Sequence, residues 1–236
     1  MPPAQPPRRS ALPPAALRGL QAAFALLCLA GSPSQADSTQ PSALGQAIGA
    51  ATLSSWNALI EQGGILDEAA KLEAVNAFIN RSVLYASDQV IWGEHDYWAT
   101  PAQTLERGVG DCEDFAIAKY FSLVRMGVPS EKLRLTFVKA LQPGKRGQAH
   151  MVLAYYANPG AQPLILDNRQ AAIEPASRRP DLLPVYAFNN QGIFLATAPQ
   201  RISQPPQKLA RWRDVSERAL AEGSQMPAAS SPAHKG

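Results

Sequence analysis

Gly108-Val109-Gly110-Asp111-Cys112-Glu113-Asp114-Phe115 is the stretch on which the reading of this chain turns. Two glycines and an acid able to cap a helix deliver a thiol to the first turn of an apolar segment. From Cys112 to Met126, only Lys119, Ser122 and Arg125 interrupt the apolar helical residues near the centre, three apart on one narrow stripe. A helix that is apolar nearly all round is buried. The spacing therefore predicts a central helix with a cysteine at its N-terminus. Unpaired amide N–H groups and the helix dipole there favour a thiolate, which is how a nucleophilic cysteine is commonly presented.

Outward from that helix the pattern changes type. Upstream, residues 49–62 and 67–84 carry apolar side chains at the three-and-four spacing of amphipathic helices. Thr100-Pro101-Ala102-Gln103 has a cap, a proline at the first helical position and a glutamine three residues on, which predicts a short helix that Gly108 stops. Downstream, Gly127-Val128-Pro129 ends the central helix. Short strand-like runs follow at 133–141, 148–156, 163–167, 184–188 and 192–196, with turns at Pro143-Gly144, Asn158-Pro159-Gly160 and Asn189-Asn190-Gln191-Gly192. Helices first and an antiparallel sheet afterwards indicate an α+β domain. An amphipathic helix is expected at about 208–221.

The ends read differently. Residues 1–36 hold Arg8, Arg9 and Arg18 with no acid, an apolar run from Leu20 to Ala30, and Ser34-Gln35-Ala36 before Asp37. A basic start, an apolar run too short to span a bilayer and a small-x-small site are expected of a secretory signal. Residues 37–48 read as a linker, 49–221 as one domain and 222–236 as a disordered tail. Without the signal the formal charge falls from +3 to 0, because three arginines leave with no acid. No electrostatic case for nucleic acid remains. Cys28 leaves too, so Cys112 stands alone in an exported chain, where an unpaired thiol needs a reason.

A thiol needs a base. His234 is in the tail, which leaves His95 and His150, and His150 opens an apolar strand at Gln148-Ala149-His150-Met151-Val152-Leu153. Asp167 ends the next short strand, Pro163-Leu164-Ile165-Leu166-Asp167. If the two strands pair as a hairpin, the beginning of one meets the end of the other, and the carboxylate can orient the imidazole. A buried structural thiol, a core histidine and an Asp-Asn turn are the plainer readings of each residue taken alone.

The runs Gly110-Asp111-Cys112-Glu113-Asp114-Phe115-Ala116-Ile117-Ala118-Lys119-Tyr120, Gln148-Ala149-His150-Met151-Val152-Leu153 and Leu166-Asp167-Asn168 together resemble the bacterial transglutaminase-like cysteine peptidases of the LapG family. The likeness extends over nearly all of residues 50–196. It implies a papain/transglutaminase-like fold, with the cysteine helix packed on a sheet that carries His and Asp. It also implies Cys112 as nucleophile, His150 as base and then acid, and Asp167 as the orienting carboxylate. The family's setting is the periplasm. Its implied substrate is a large repeat-type surface adhesin, cut near its N-terminus at a dialanine site in biofilm dispersal, and its implied inhibitor is an inner-membrane cyclic di-GMP receptor.

Asp111, Glu113 and Asp114 oppose a thiolate beside them. A bound Ca²⁺ would resolve the conflict, and the resemblance implies calcium dependence through Asp111 and Glu113, with Asp114 a further candidate. Asp111 as cap with Asp114 three residues on also satisfies the helix end without a metal. Trp98 is a candidate contributor to the oxyanion hole by analogy with transglutaminases, beside a packing role. Three other functions stay open: a transglutaminase or deamidase using the same triad, a non-catalytic calcium- or receptor-binding module, and a cell-wall peptidase.

Overall fold

The computed structural model describes residues 42–144, 146–195, 198–202 and 208–223. The expected signal at 1–36, and all of the expected tail except Glu222 and Gly223, lie outside them. The chain divides into Met1–Thr39 and Gln40–Gly236, and every described residue belongs to the second unit.

Helix α1 (Ala43–Gln62) begins where the Ser42 hydroxyl accepts the Gly45 amide at 3.2 Å. Residues 43–48, read as linker, are therefore helical. Leu44 and Ile48 are exposed there, so this part of the helix shows no core periodicity in the sequence. It is held instead by backbone contact with the short helix that follows Thr100: a Cβ on Gly49 would lie 2.5 Å from the Glu106 carbonyl oxygen. Helix α2 (Glu68–Ser82) is capped by Asp67, which accepts the Ala70 amide at 2.8 Å, and buries Leu72, Val75 and Ile79. Strand β1 (Leu84–Tyr85) and helix α3 (Asp88–Ile91) follow. Helix α4 (Pro101–Arg107) has the expected capping box between Thr100 and Gln103, and Gly108 stops it at φ 67°. Strand β2 (Val109–Gly110) pairs in parallel with β1 and leads directly into helix α5 (Cys112–Arg125).

Strands β3 (Leu133–Ala140), β4 (Gln148–Tyr155), β5 (Leu164–Asp167), β6 (Gln170–Pro175), β7 (Leu182–Asn189), β8 (Gly192–Leu195) and β9 (Ala198–Ile202) form an antiparallel sheet in the order β6-β5-β4-β3-β7-β8-β9. Helix α6 (Lys208–Ala221) closes the described chain. The α+β expectation holds. Strand β6 had no sequence signature, because Ala171 and Ala172 are exposed and nothing alternates. It is an edge strand, tied down by the Asn76 side chain donating to the Ala171 carbonyl at 2.9 Å.

The sheet buries its two faces differently. Leu133, Leu135, Met151 and Leu153 pack with α5, whose Ile117, Tyr120, Phe121 and Leu123 are fully enclosed. Each such side chain contributes roughly 1.5–3 kcal/mol through burial. Two of the three polar stripe residues of α5, Lys119 and Ser122, are buried as well, and Arg125 is half-buried. Ser122 accepts the Trp56 indole N–H at 2.7 Å, Arg125 lies over the Trp56 ring, and Lys119 is enclosed without a hydrogen-bond partner among the described residues. Trp212 docks α6 edge-on against Tyr120 at 5.1 Å. Among the described residues no helix is long and apolar enough to cross a membrane.

Candidate active site

Asp111 has extended backbone and caps α5, its carboxylate accepting the Glu113 amide at 3.0 Å. Asp114 completes the capping box by accepting the Asp111 amide at 3.2 Å, and its other oxygen accepts the Ala99 amide at 2.8 Å. The turn is closed from both sides, so Cys112 is held in place at the first helical position. Its amide is one of the N–H groups that a helix start leaves without an intrahelical acceptor. Gly110 is required by close packing, since a Cβ there would meet the Asp114 side chain at 2.9 Å.

The hairpin of β4 and β5 forms with Leu153 opposite Leu166 and Ala154 opposite Ile165. That register makes His150 and Asp167 a diagonal pair, and His150 Nε2 lies 2.8 Å from Asp167 Oδ1, both side chains buried. An ionised Asp167 fixes the proton on Nε2 and leaves Nδ1 as the ring's acceptor. The Met151 amide, one residue beyond His150, lies close enough to the Cys112 sulfur to favour its thiolate. The structure thus joins His150 to Asp167, and Cys112 at the head of α5 approaches β4 at Met151, the residue after His150.

Asp167 is anchored on every side. Arg179 Nη2 donates to its Oδ2 at 2.7 Å, the Arg169 amide to its Oδ1 at 3.0 Å, and the Asn80 side chain to its carbonyl at 3.0 Å. Burial alone would raise this carboxyl, but the bonds to His150, Arg169 and Arg179 outweigh it and hold the group far below the usual range. Lys119 adds a buried cation nearby: burial pulls it down to about 7 and the Asp167 charge opposes the fall.

The thiol has a different companion. Cys112 Sγ donates to Glu113 Oε2 at 2.7 Å, and this, not His150, is its side-chain partner here. Burial, then the Glu113 carboxylate, then Asp111 push the thiol up, against the Met151 amide. In this arrangement it is protonated.

Around it the acids crowd together. Ligand atoms of Asp111, Cys112 and Glu113 lie within 4.8 Å of one another, as do those of Asp88, Asp111 and Asp114. Burial and the neighbouring carboxylates raise Asp111 to about 9. Burial raises Asp114 to about 7 against its two amide bonds, and Asp88 to about 6. Asp88 Oδ1 is buried with no hydrogen-bond partner among the described residues.

Arg179 and Asp88 escaped the sequence reading. Arg178, beside Arg179, is 74 % exposed, and nothing local distinguishes the two. Asp88 reads as an ordinary helix-start acid after Ser87. Trp98 is core rather than site: its indole N–H donates to Asp96 at 3.1 Å and its ring stacks on Phe188 at 5.8 Å. His95 is exposed.

Comparison with curated proteins finds no match. Among solved structures, Legionella pneumophila LapG in its calcium-bound form is 39 % identical, covering 74 % of this chain and 94 % of its own, with a TM-score of 0.65. The EGTA-treated form of the same protein is also 39 % identical, covering 75 % of this chain and 94 % of its own, with a TM-score of 0.65. Residues 63–181 match the family described as bacterial transglutaminase-like cysteine proteinase BTLCP. That span holds the cysteine, the histidine, the aspartate and every acid around the thiol, and the chain belongs to the bacterial transglutaminase-like cysteine proteinases.

Proposed function

We propose that this peptidase is a calcium-dependent, periplasmic endopeptidase that cuts a large repeat-type adhesin near its N-terminus at a dialanine site. The cut releases the adhesin and disperses the biofilm, and an inner-membrane cyclic di-GMP receptor holds the enzyme inactive. The observation that carries the catalytic part is the buried His150–Asp167 pair, in a fold that also presents a cysteine at a helix start. His150 Nδ1 takes the thiol proton, the Cys112 sulfur attacks the peptide carbonyl, and the Cys112 amide is a donor for the oxyanion. The amine leaves with a proton from His150, and water hydrolyses the thioester. Asp167 holds the ring and stabilises the imidazolium throughout.

The residues present fit a calcium ion. All the donors offered by Asp88, Asp111, Glu113 and Asp114 are hard oxygens, one of them is orphaned, and the cluster holds more negative charge than burial tolerates. Asp111 belongs to both groups of close ligand atoms, Glu113 to one and Asp88 and Asp114 to the other, and both Asp114 oxygens already accept amides. A bound divalent cation supplies the positive charge that lets these acids stay ionised and gives Glu113 a partner other than the thiol. The calcium-bound relative supports this reading.

The test is cleavage of a purified adhesin N-terminal fragment, with and without chelator, beside Cys112→Ala. Calcium-dependent cutting that the variant lacks is expected. An intact fragment in calcium sinks the adhesin reading. The same triad could pass a glutamine acyl group to an amine, and product mass separates transamidation from hydrolysis.

A further inference from the structure

The sheet face turned away from α5 carries a second, smaller cluster of buried apolar side chains with a cavity beside it. Val138, Val152, Ala154 and Ile165 line a cavity of about 420 Å³, within the size range of small-molecule sites. Two arginines stand in its wall, and they differ in what they hold. Arg179 is engaged by Asp167 at 2.7 Å and by Asp181 at 2.9 Å. Arg134 meets no carboxylate among the described residues. Its guanidinium carbon lies 4.3 Å from the Tyr156 ring centroid and 4.0 Å from that of Phe194, and its Nε has no hydrogen-bond partner. Stacking covers the flat faces of a guanidinium and leaves its in-plane N–H fork, the geometry that matches a carboxylate. An unpaired cation beside an apolar floor calls for a ligand with both features. Phosphate alone offers charge without a body, and a hydrocarbon alone leaves Arg134 unmatched.

We propose that this cavity binds a small organic carboxylate, its apolar body on the sheet and its carboxylate on Arg134, and that occupancy reaches the active site through Arg179. The second half follows from connectivity. Arg179 borders the cavity and fixes Asp167, which in turn fixes His150. A ligand that shifts the Arg179 side chain therefore changes the surroundings of the imidazole. Neither half depends on the adhesin as substrate.

Decanoate is the probe, titrated into the full chain and followed by backbone-amide NMR, with decanol as the uncharged arm and inorganic phosphate as the bodiless anion. Saturable shifts at Ala154, Ile165 and Phe194 are expected with decanoate. Binding about tenfold weaker or more is expected for decanol, and for decanoate with Arg134→Gln. Equal binding of decanol overturns the carboxylate assignment on the native protein, whatever the variant does. Saturation by phosphate alone at these positions overturns the apolar part, and no saturable shift overturns the site. For the coupling, saturating decanoate moves the ring resonances of His150. Unmoved resonances in the bound protein overturn that half, and movement in the native protein that Arg179→Lys lacks confirms the route.

Discussion

Asp111 and Asp167 are the same side chain in opposite circumstances a few residues' reach from the same thiol. Asp167 faces a histidine, a buried arginine and an amide, and is held far below the usual carboxylate range. Asp111 faces Glu113, Asp114 and Asp88 and is pushed up to about 9. Asp111 is the less buried of the two and yet the one that is raised, so burial is not what separates them. The β6–β7 connection supplies Asp167 with its counter-charge, Arg179, from within the fold, whereas the head of α5 gathers acids and supplies none. A carboxylate with built-in cations can orient a base permanently. A cluster without one is sensitive to whatever cation arrives.

The largest effect that would break this contrast lies at the reaction itself. Cys112→Ala abolishes peptide cleavage. Asp167→Asn, which keeps the shape but loses the charge that fixes the imidazole tautomer, lowers kcat by about 10³–10⁴-fold; a loss below tenfold in steady-state assays would show that Asp167 is not the orienting group. Next is Arg179→Met, which leaves Asp167 Oδ2 buried and unpaired. Breaking a buried pair from one side costs about 3–5 kcal/mol, so the urea midpoint should fall markedly, and an unchanged midpoint would mean that the pair is not a stabilising contact.

The pH dependence of stability gives the two carboxylates opposite signs. A carboxyl raised in the folded state binds protons more tightly folded than unfolded. Stability from the acids clustered around the thiol therefore falls as pH rises from about 4 towards about 6 for Asp88 and about 9 for Asp111. Asp167 is depressed, so its contribution is complete above about 4 and is lost only as the solution becomes strongly acidic. Thermal midpoints of chelated protein from pH 5 to 9 should decline, and Asp111→Asn should flatten the decline. Added calcium should raise the midpoint more at pH 8 than at pH 5, because the ligands must be deprotonated. A calcium shift independent of pH, or none, would remove the ion from this cluster. The smallest effect is expected from Asp181→Asn. Its side chain is 46 % exposed, and it shares Arg179 with Asp167. Exposed pairs contribute about 1 kcal/mol or less, so kcat should stay within about twofold; a larger change would show that Arg179 needs both carboxylates to hold its position.

Local rules account for what was legible. The capping box at Thr100 and Gln103, the left-handed Gly108, the buried α5 and the β4–β5 hairpin each follow from residues near one another in sequence. The hairpin was enough to pair His150 with Asp167. The first turns of α1 were missed because their side chains are exposed, and strand β6 because Ala171 and Ala172 are exposed and Ile173 alone gives no alternation, its register being fixed by contacts with distant residues.

The sequence by itself determined the helix-then-sheet order, the lone thiol at a helix start and the pairing of His150 with Asp167, because periodicity, capping and hairpin connection are short-range. Only the tertiary structure decided that Arg179 rather than Arg178 clamps Asp167, that Asp88 joins the acids of α5, and that Glu113 holds the resting thiol. Those outcomes depend on which charges are enclosed together, and the strength of a charge interaction is set by burial and by distance across the fold, neither of which is written in the spacing of residues along the chain.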